Sequence, residues 1–349
     1  MYQIICTTLR VQTPQNQKLT ERLKKDQAGL EKPVWLKIRP PTTEKYAGIA
    51  TLLRAKKLTT VCAEAHCPNI AECWSGGTAT FMVLGEVCTR ACRFCYVKSG
   101  NPRGMLDETE PRRLVEAATV MKLEYVVLTC VTRDDLADGG AGHFARCIRA
   151  LKVAHPKLLV EVLISDLNGN LESLKTIIEA GPDVIAHNLE TVERLQGEVR
   201  DPRAGYGKSL GILEGVKGIV AGPAGGGEQS FPKLRPAGGF DGAAAGKKIF
   251  TKSSLMLGLG ETEEEVVRTM KDLRAIGVDV VTFGQYLRPS EFHLAVKEYV
   301  TPEQFKKYER LARELGFLYC ASGAFVRSSY KAGELFMKNI LLKNGRNVS

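Results

Sequence analysis

No apolar run in this 349-residue chain approaches the roughly eighteen residues that a membrane-spanning helix needs, and the N-terminus lacks the hydrophobic core of a secretory signal. The expectation is a globular protein with no membrane span. Acidic residues are missing from the first twenty positions. Residues 1–32 carry Lys18, Arg22, Lys24 and Lys25 without hydrophobic periodicity, so they are expected to form a flexible arm or targeting segment. Such a composition fits a mitochondrial presequence, with plastid or cytoplasmic location as the alternative. No nucleic-acid-binding motif is present, although the net charge is +10. The charge is spread: short basic groups at Arg54–Lys57 and Lys247–Lys248 are interleaved along the sequence with acidic stretches such as Glu263–Glu265. A solvated surface is the plainer reading, and docking of an acidic carrier domain is the functional one.

The sequence also withholds a fourth cysteine where three stand together. Ten cysteines occur, and six of them fall within thirty-four residues, which points to metal in a reducing compartment rather than to disulfides. Cys88, Cys92 and Cys95 are spaced C-x3-C-x2-C just after the apolar run Thr80–Leu84. Iron-sulfur clusters normally take four cysteines, so three leave one iron of a four-iron cluster open to a ligand that is not protein. Zinc is the rival, but this spacing is not the usual C-x2-C pair and no His stands nearby to complete a site. A second trio, Cys62, Cys67 and Cys73, is spaced C-x4-C-x5-C and ends fifteen residues upstream of Cys88. Two trios imply two clusters. Cys6, Cys130, Cys147 and Cys320 read as small buried hydrophobes or plain thiols.

The Cys88–Cys95 spacing resembles the signature of radical S-adenosylmethionine enzymes, and the two trios in this order resemble the lipoyl synthase family. The likeness runs from about Pro33 to Asn339 and includes Thr60–Asn69, Cys92–Pro102, Thr132–Leu136, Asp138–Ala141, His187–Val192, Leu255–Glu261, Gly284–Leu287 and Val326–Tyr330. It implies two 4Fe-4S clusters and S-adenosylmethionine, whose one-electron cleavage gives a deoxyadenosyl radical. It implies insertion of two sulfur atoms at carbons six and eight of an octanoyl chain on a carrier-protein lysine, with the auxiliary cluster as the sulfur source. The implied partners are octanoylated lipoyl-carrier domains (the glycine cleavage H protein and 2-oxoacid dehydrogenase acyltransferase subunits), an electron donor such as ferredoxin, and iron-sulfur assembly carriers. Another radical S-adenosylmethionine sulfurtransferase is the alternative enzyme. A non-enzymatic iron-sulfur carrier or zinc scaffold is disfavoured, because it needs neither a barrel nor two differently spaced trios.

From Thr80 onward β-rich runs alternate with helical patterns. The expected strands are Thr80–Leu84, Tyr125–Val131, Leu158–Ile164, Asp183–His187, Ser253–Leu257 and Asp279–Phe283. Helices are expected over Glu110–Leu123, Gly142–Ala154, Leu171–Ala180, Glu263–Ile276 and Pro302–Leu315, with Thr301-Pro302 as a good start. This order gives parallel βαβ units with right-handed crossovers, an α/β six-stranded partial TIM-like barrel. The resemblance implies the same fold. The expected divisions are an N-terminal cluster-binding extension over 33–79, the barrel over 80–316 and a C-terminal cap over 317–349. Residues 218–246, with nine glycines in twenty-nine residues, read as a mobile surface insertion.

In such barrels chemistry sits at the carboxyl ends of the strands. Asn188 and Glu190, just past the fourth strand, are therefore expected to contact S-adenosylmethionine or the cluster surroundings. His187 is as well explained by a structural hydrogen bond. Arg133, Asp134 and Asp135 are similarly placed, with a structural ion-pair network as the plain reading. Asp138-Gly139-Gly140 is either a ligand approach or a tight turn. Tyr96 is placed either near the adenine or as simple shielding. The resemblance makes Met256–Glu261, with Gly258, a backbone ledge for the adenosyl group. It also places the fourth ligand of the auxiliary cluster in Arg327–Tyr330, at Ser329. The physical alternative there is a turn capped by hydroxyls.

Overall fold

The β-rich runs become strands that are covered on both faces. In a computed structural model the described residues are 31–36, 48, 51, 55, 69–70, 73, 78–221 and 249–329. The expected arm, most of the Thr43–Arg54 helix, Cys62, Cys67, the glycine-rich stretch from 222 to 246, and Tyr330 onward lie outside them. The main sheet contains β1 (Thr78–Val83), β4 (Tyr125–Cys130), β5 (Leu159–Leu163), β6 (Val184–Ala186), β7 (Phe250–Leu257), β8 (Val280–Gln285) and β9 (Tyr319–Ser322). All neighbours are parallel in that order, and among the described residues β1 and β9 do not pair with each other, so the sheet is a partial barrel. A separate ladder joins β2 (Val87–Cys88) to β3 (Lys98–Ser99).

The five expected helices are present, joined by a one-turn helix at 196–199 and a longer one at 206–221 that were not expected from start signals. They are α1 (Glu110–Met121), α2 (Ala141–Ala154), α3 (Leu171–Glu179), α4 (Gln196–Val199), α5 (Tyr206–Ala221), α6 (Glu263–Ala275) and α7 (Pro302–Glu314). Thr262 and Glu265 form a reciprocal capping box on α6, and the Thr301 hydroxyl accepts the Gln304 N–H at the start of α7. None of the described helices is long and apolar enough to cross a membrane.

Alternation along the strands sorts the core into an outer and an inner layer. Val126, Leu128, Val160, Val162 and Ile185 share one buried cluster with Leu114, Phe144, Ile148 and Leu174 from the helices. Tyr125, Val127, Val184, Phe250 and Val280 form a cluster of strand residues only, which is the inner face. Following the register upward, most inner residues become smaller, with Met82, Leu163 and Met256 as the larger ones among them. Tyr125, Phe250 and Tyr319 stand at the amino ends, whereas Thr129, Ala186, Ser254, Thr282, Gly284 and Ala321 lie toward the carboxyl ends.

Two expectations are corrected. The sheet has seven strands, not six: β9 is only four residues long, too short for an alternating pattern to show, and it carries the sheet past the boundary expected at 316. The glycine-rich stretch does not begin at 218, because residues 218–221 finish α5 while Ile219 and Val220 pack against the core.

Candidate active site

The three cysteines sit on a loop that leaves the carboxyl end of β1 through two left-handed residues, Leu84 (φ 71) and Gly85 (φ 93). The exit is held at both backbone groups of Leu84. Its N–H donates to Glu110 Oε2 at 3.0 Å, and its carbonyl accepts from the fully buried Arg133 at 2.9 Å. Arg133 also grips Asp135 through two hydrogen bonds of 2.8 Å, so the ion-pair reading of this pair holds. The β2–β3 ladder then closes the loop around Cys92 and Cys95.

Inside the loop, Arg90 is buried and anchors the cysteines to two other segments. Its guanidinium donates to both oxygens of Asp134 and, at 2.7 Å, to Asp166 at the end of β5. Burial alone would lower the Arg90 pKa, but Asp166 and Asp134 outweigh it and hold the group above its ordinary value. Asp201 accepts the Ala91 N–H at 2.9 Å and is itself clamped by Arg203, which keeps its carboxyl well below the usual range. Backbone N–H groups point at two of the sulfurs: Arg90 to Cys88 Sγ at 3.4 Å and Asp201 to Cys92 Sγ at 3.3 Å. Burial pushes the Cys92 thiol up and the Cys95 thiol up to about 12. Such buried thiols are deprotonated as a metal binds them, the proton being released when the metal–thiolate bond forms.

Glu190 faces this loop from the segment that follows β6. Its backbone is left-handed (φ 69) and bridges to β7, with its N–H on Ser254 and its carbonyl accepting from Met256. Its carboxylate accepts from Asn188 Nδ2 at 3.1 Å and acts electrostatically on Cys92 and Cys95. Burial raises the Glu190 pKa, against Arg200 and Asn188. The Asn188 Oδ1 atom is buried with no partner, a cost normally relieved by a ligand or water. The structure therefore brings Cys88, Cys92, Cys95, Asn188 and Glu190 to one edge.

His187 is structural: its ring bonds the Ile164 carbonyl and the Ser209 hydroxyl, each at 2.9 Å. Burial first, and the Arg200 charge second, push its pKa from 6.5 to about 4. The unfolded chain accepts a proton that the folded state refuses. This stability is present above pH 6.5 and is lost as the pH falls toward 4. Denaturant unfolding at graded pH should show that loss, and His187→Gln should flatten the slope; an unchanged slope overturns the assignment.

Three expected site residues lie around this edge. Tyr96 is half-exposed, with its ring 5.7 Å from His293, and His293 bonds the Cys95 carbonyl at 3.0 Å. At Gly258 (φ 96) a side chain would meet Gln285 and the Glu298 carbonyl at 2.3 Å, while the Gly258 N–H and carbonyl are taken by Glu261 and Lys297. Ser329 ends a half-buried turn after β9, pressed against β8 where Gln285 donates to the Ala324 carbonyl. Among the described residues of the other trio, Cys73 is buried, and its N–H donates to the Asn69 carbonyl. The Asn69 side chain in turn donates to the Phe325 carbonyl, 256 residues away.

Residues 82–218 match the radical SAM superfamily. A lipoyl synthase from Myxococcus xanthus is 52% identical over 310 residues, spanning 89% of this chain and 95% of its own. The chain belongs to the lipoyl synthase family. A lipoyl synthase from Thermus thermophilus is 51% identical over 88% of this chain and 87% of its own. One from the archaeon Halorubrum lacusprofundi is 51% identical over 92% of this chain and 95% of its own. The crystal structure of a maturase of the FeFe-hydrogenase superposes with a TM-score of 0.50 at 15% identity, over 92% of this chain and 69% of its own, a likeness of fold. For a member of the lipoyl synthase family, the residues that sequence reasoning missed are the ones that hold the loop: Arg90, Asp166, Asp201, Arg203, Glu110 and His293. Arg90 alone carried a signal, since it stands between two cysteines.

Proposed function

We propose that this radical S-adenosylmethionine enzyme inserts sulfur at two carbons of an octanoyl chain carried on a protein lysine, giving a lipoyl group. The observation that carries this reading is the Asn69–Phe325 bond. It ties the segment ending in Cys73 to the turn ending in Ser329, at the carboxyl end of the barrel where the other three cysteines stand. Cys88, Cys92 and Cys95 would hold the first four-iron cluster. Cys62, Cys67, Cys73 and Ser329 would hold the second. When bound, these groups with S-adenosylmethionine supply a carbon-centred radical oxidant and the sulfur it needs.

The remaining work belongs to the chain. Glu190 and the orphaned Asn188 Oδ1 present negative charge and an acceptor to a cationic amino-acid ligand at the cysteine edge. The Glu190 backbone orients this pair against β7. Gly258 keeps the β7 edge narrow by letting Gln285 and Glu298 approach, which supports the ledge rather than touching the ligand. Tyr96 and His293 cover the outer side of Cys95 and restrict water. As a ligand, Ser329 would be the weaker hold on iron, suited to a cluster that yields sulfur.

Lipoyl-carrier proteins are the partners in kind. The glycine cleavage H protein, acyltransferase subunits, a ferredoxin and assembly carriers are the specific ones proposed. The relatives above are bacterial and archaeal, so mitochondrial location is a proposal drawn from the acid-free composition of residues 1–20.

The test uses enzyme loaded anaerobically with iron and sulfide, an octanoyl-lysine peptide, S-adenosylmethionine and a reductant. The wild-type protein should yield the dithiolated peptide by mass spectrometry. Ser329→Ala should still form deoxyadenosine but yield little dithiolated product, with an altered iron spectrum. Wild-type thiolation with an unchanged spectrum would remove Ser329 from the site, and no thiolation by the wild type overturns the function.

A further inference from the structure

On the barrel's inner face, below the small residues at the carboxyl ends, stands a buried charged group that the chemistry above does not use. Lys252 of β7 and Glu161 of β5 are each 2% exposed, and Lys252 Nζ lies 2.8 Å from Glu161 Oε1. The hydroxyl of Tyr125, on β4, donates to the other carboxylate oxygen. Both Glu161 oxygens are thus occupied from within the protein. A buried ion pair of this kind is a poor source of stability, since apolar residues of similar volume generally serve as well or better. Its position gives it another use.

The pair stands among bulky inner residues, Tyr125, Phe250 and Val280. One inward step further along the strands, about 6.6 Å, the residues become Leu163, Ser254 and Thr282, and Asn188 continues the β6 line at the edge that holds Glu190. The upper lumen is therefore lined mainly by small side chains and ends below in a charged floor. An alkyl chain entering from the carboxyl end gains by burying methylenes against the walls until it meets that floor. Going deeper means displacing a satisfied ion pair into contact with hydrocarbon.

We propose that Tyr125, Glu161 and Lys252 form a depth gauge, positioning residues that stop the acyl chain so that its last carbons lie level with the Asn188–Glu190 edge and the enzyme selects chains of about eight carbons. This inference rests on the octanoyl reading given above.

The test compares binding of hexanoyl-, octanoyl- and decanoyl-lysine peptides to the cluster-loaded, unreduced protein by calorimetry, then product formation by mass spectrometry. The wild type should bind the octanoyl peptide best. The variant Tyr125→Phe/Glu161→Leu/Lys252→Met removes charge while roughly keeping volume. Its decanoyl-to-octanoyl affinity ratio should rise about tenfold or more, the discrimination expected from one or two methylenes in an apolar pocket. A second variant, Ala186→Val, adds bulk beside Lys252 on the neighbouring strand, raises the floor of the chamber and should move the preference to the hexanoyl peptide. Folded variants whose length preference stays within about twofold of wild type, well under what a methylene is worth, overturn the gauge alone. A wild type that binds the three peptides equally overturns it as well. A wild type that binds none of them overturns the functional reading, and the gauge with it.

Discussion

Cys92→Ala is expected to reduce deoxyadenosine formation to the level of the reductant without enzyme while leaving the barrel folded. Cys92 lies on a loop outside the main sheet, and its sulfur accepts a hydrogen bond from the N–H of Asp201. Loop position is set instead by Arg90 on Asp134 and Asp166, by Asp201 on Ala91, and by Arg93 on the Val199 carbonyl. None of these bonds passes through the thiol. The variant should therefore keep its thermal unfolding midpoint, lose the iron of one cluster, and retain the spectrum of the other. Deoxyadenosine production at the wild-type rate, or collapse of the fold, would each contradict the placement of this cysteine.

Gly284→Ala should have the second large effect, and for a steric reason. Gly284 faces inward near the end of β8, and a Cβ there would lie 2.1 Å from the Val326 carbonyl oxygen and 3.2 Å from the Arg327 guanidinium. The first obstacle is backbone, so the turn carrying residues 324–329 must move. Overpacking of this sort costs about 1–3 kcal/mol. The larger loss should be functional, because the same turn supplies the Phe325 carbonyl to Asn69 and ends in Ser329. The expected result is intact deoxyadenosine formation with thiolation reduced to a trace and a lower iron content. Full iron and wild-type thiolation in Gly284→Ala would show that the turn's position does not matter.

Much of the architecture was legible because local signals and tertiary demands agree. Thr262 and Thr301 announce helices that begin one residue later, and apolar runs such as Tyr125-Val-Val-Leu mark strands covered on both sides. The errors have a common origin in residues whose state depends on distant partners. β7 starts at Phe250 rather than Ser253, since Thr251 and Lys252 look like loop residues until Asp279 and Glu161 are seen to satisfy them. The short β9 makes sense only beside β8.

The site divides in the same way. Cysteine spacing drew attention to the loop after β1, and position after a strand to Asn188 and Glu190, which the structure brings to the same edge. The charges that fix the loop come from residues 76 and 110 positions away, a separation that no periodicity encodes. Gly258 was expected in a backbone ledge for the adenosyl group; in the structure its glycine is demanded by a left-handed backbone and by Gln285 and Glu298, which the sequence alone does not bring near it.

The hydrogen bond from Asn69 to Phe325 also bears on the order in which the molecule is made. A contact between positions 256 residues apart cannot form until nearly the whole chain exists, and closing so long a loop before the barrel has formed is entropically unfavourable. The barrel strands, each pairing with a neighbour much closer in sequence, have no such delay. The contact at Asn69, four residues before Cys73, should thus be among the last to form. Loading of the auxiliary cluster then becomes a checkpoint on completed synthesis, since a chain truncated before Phe325 can fold its cysteine loop yet cannot secure the sulfur source.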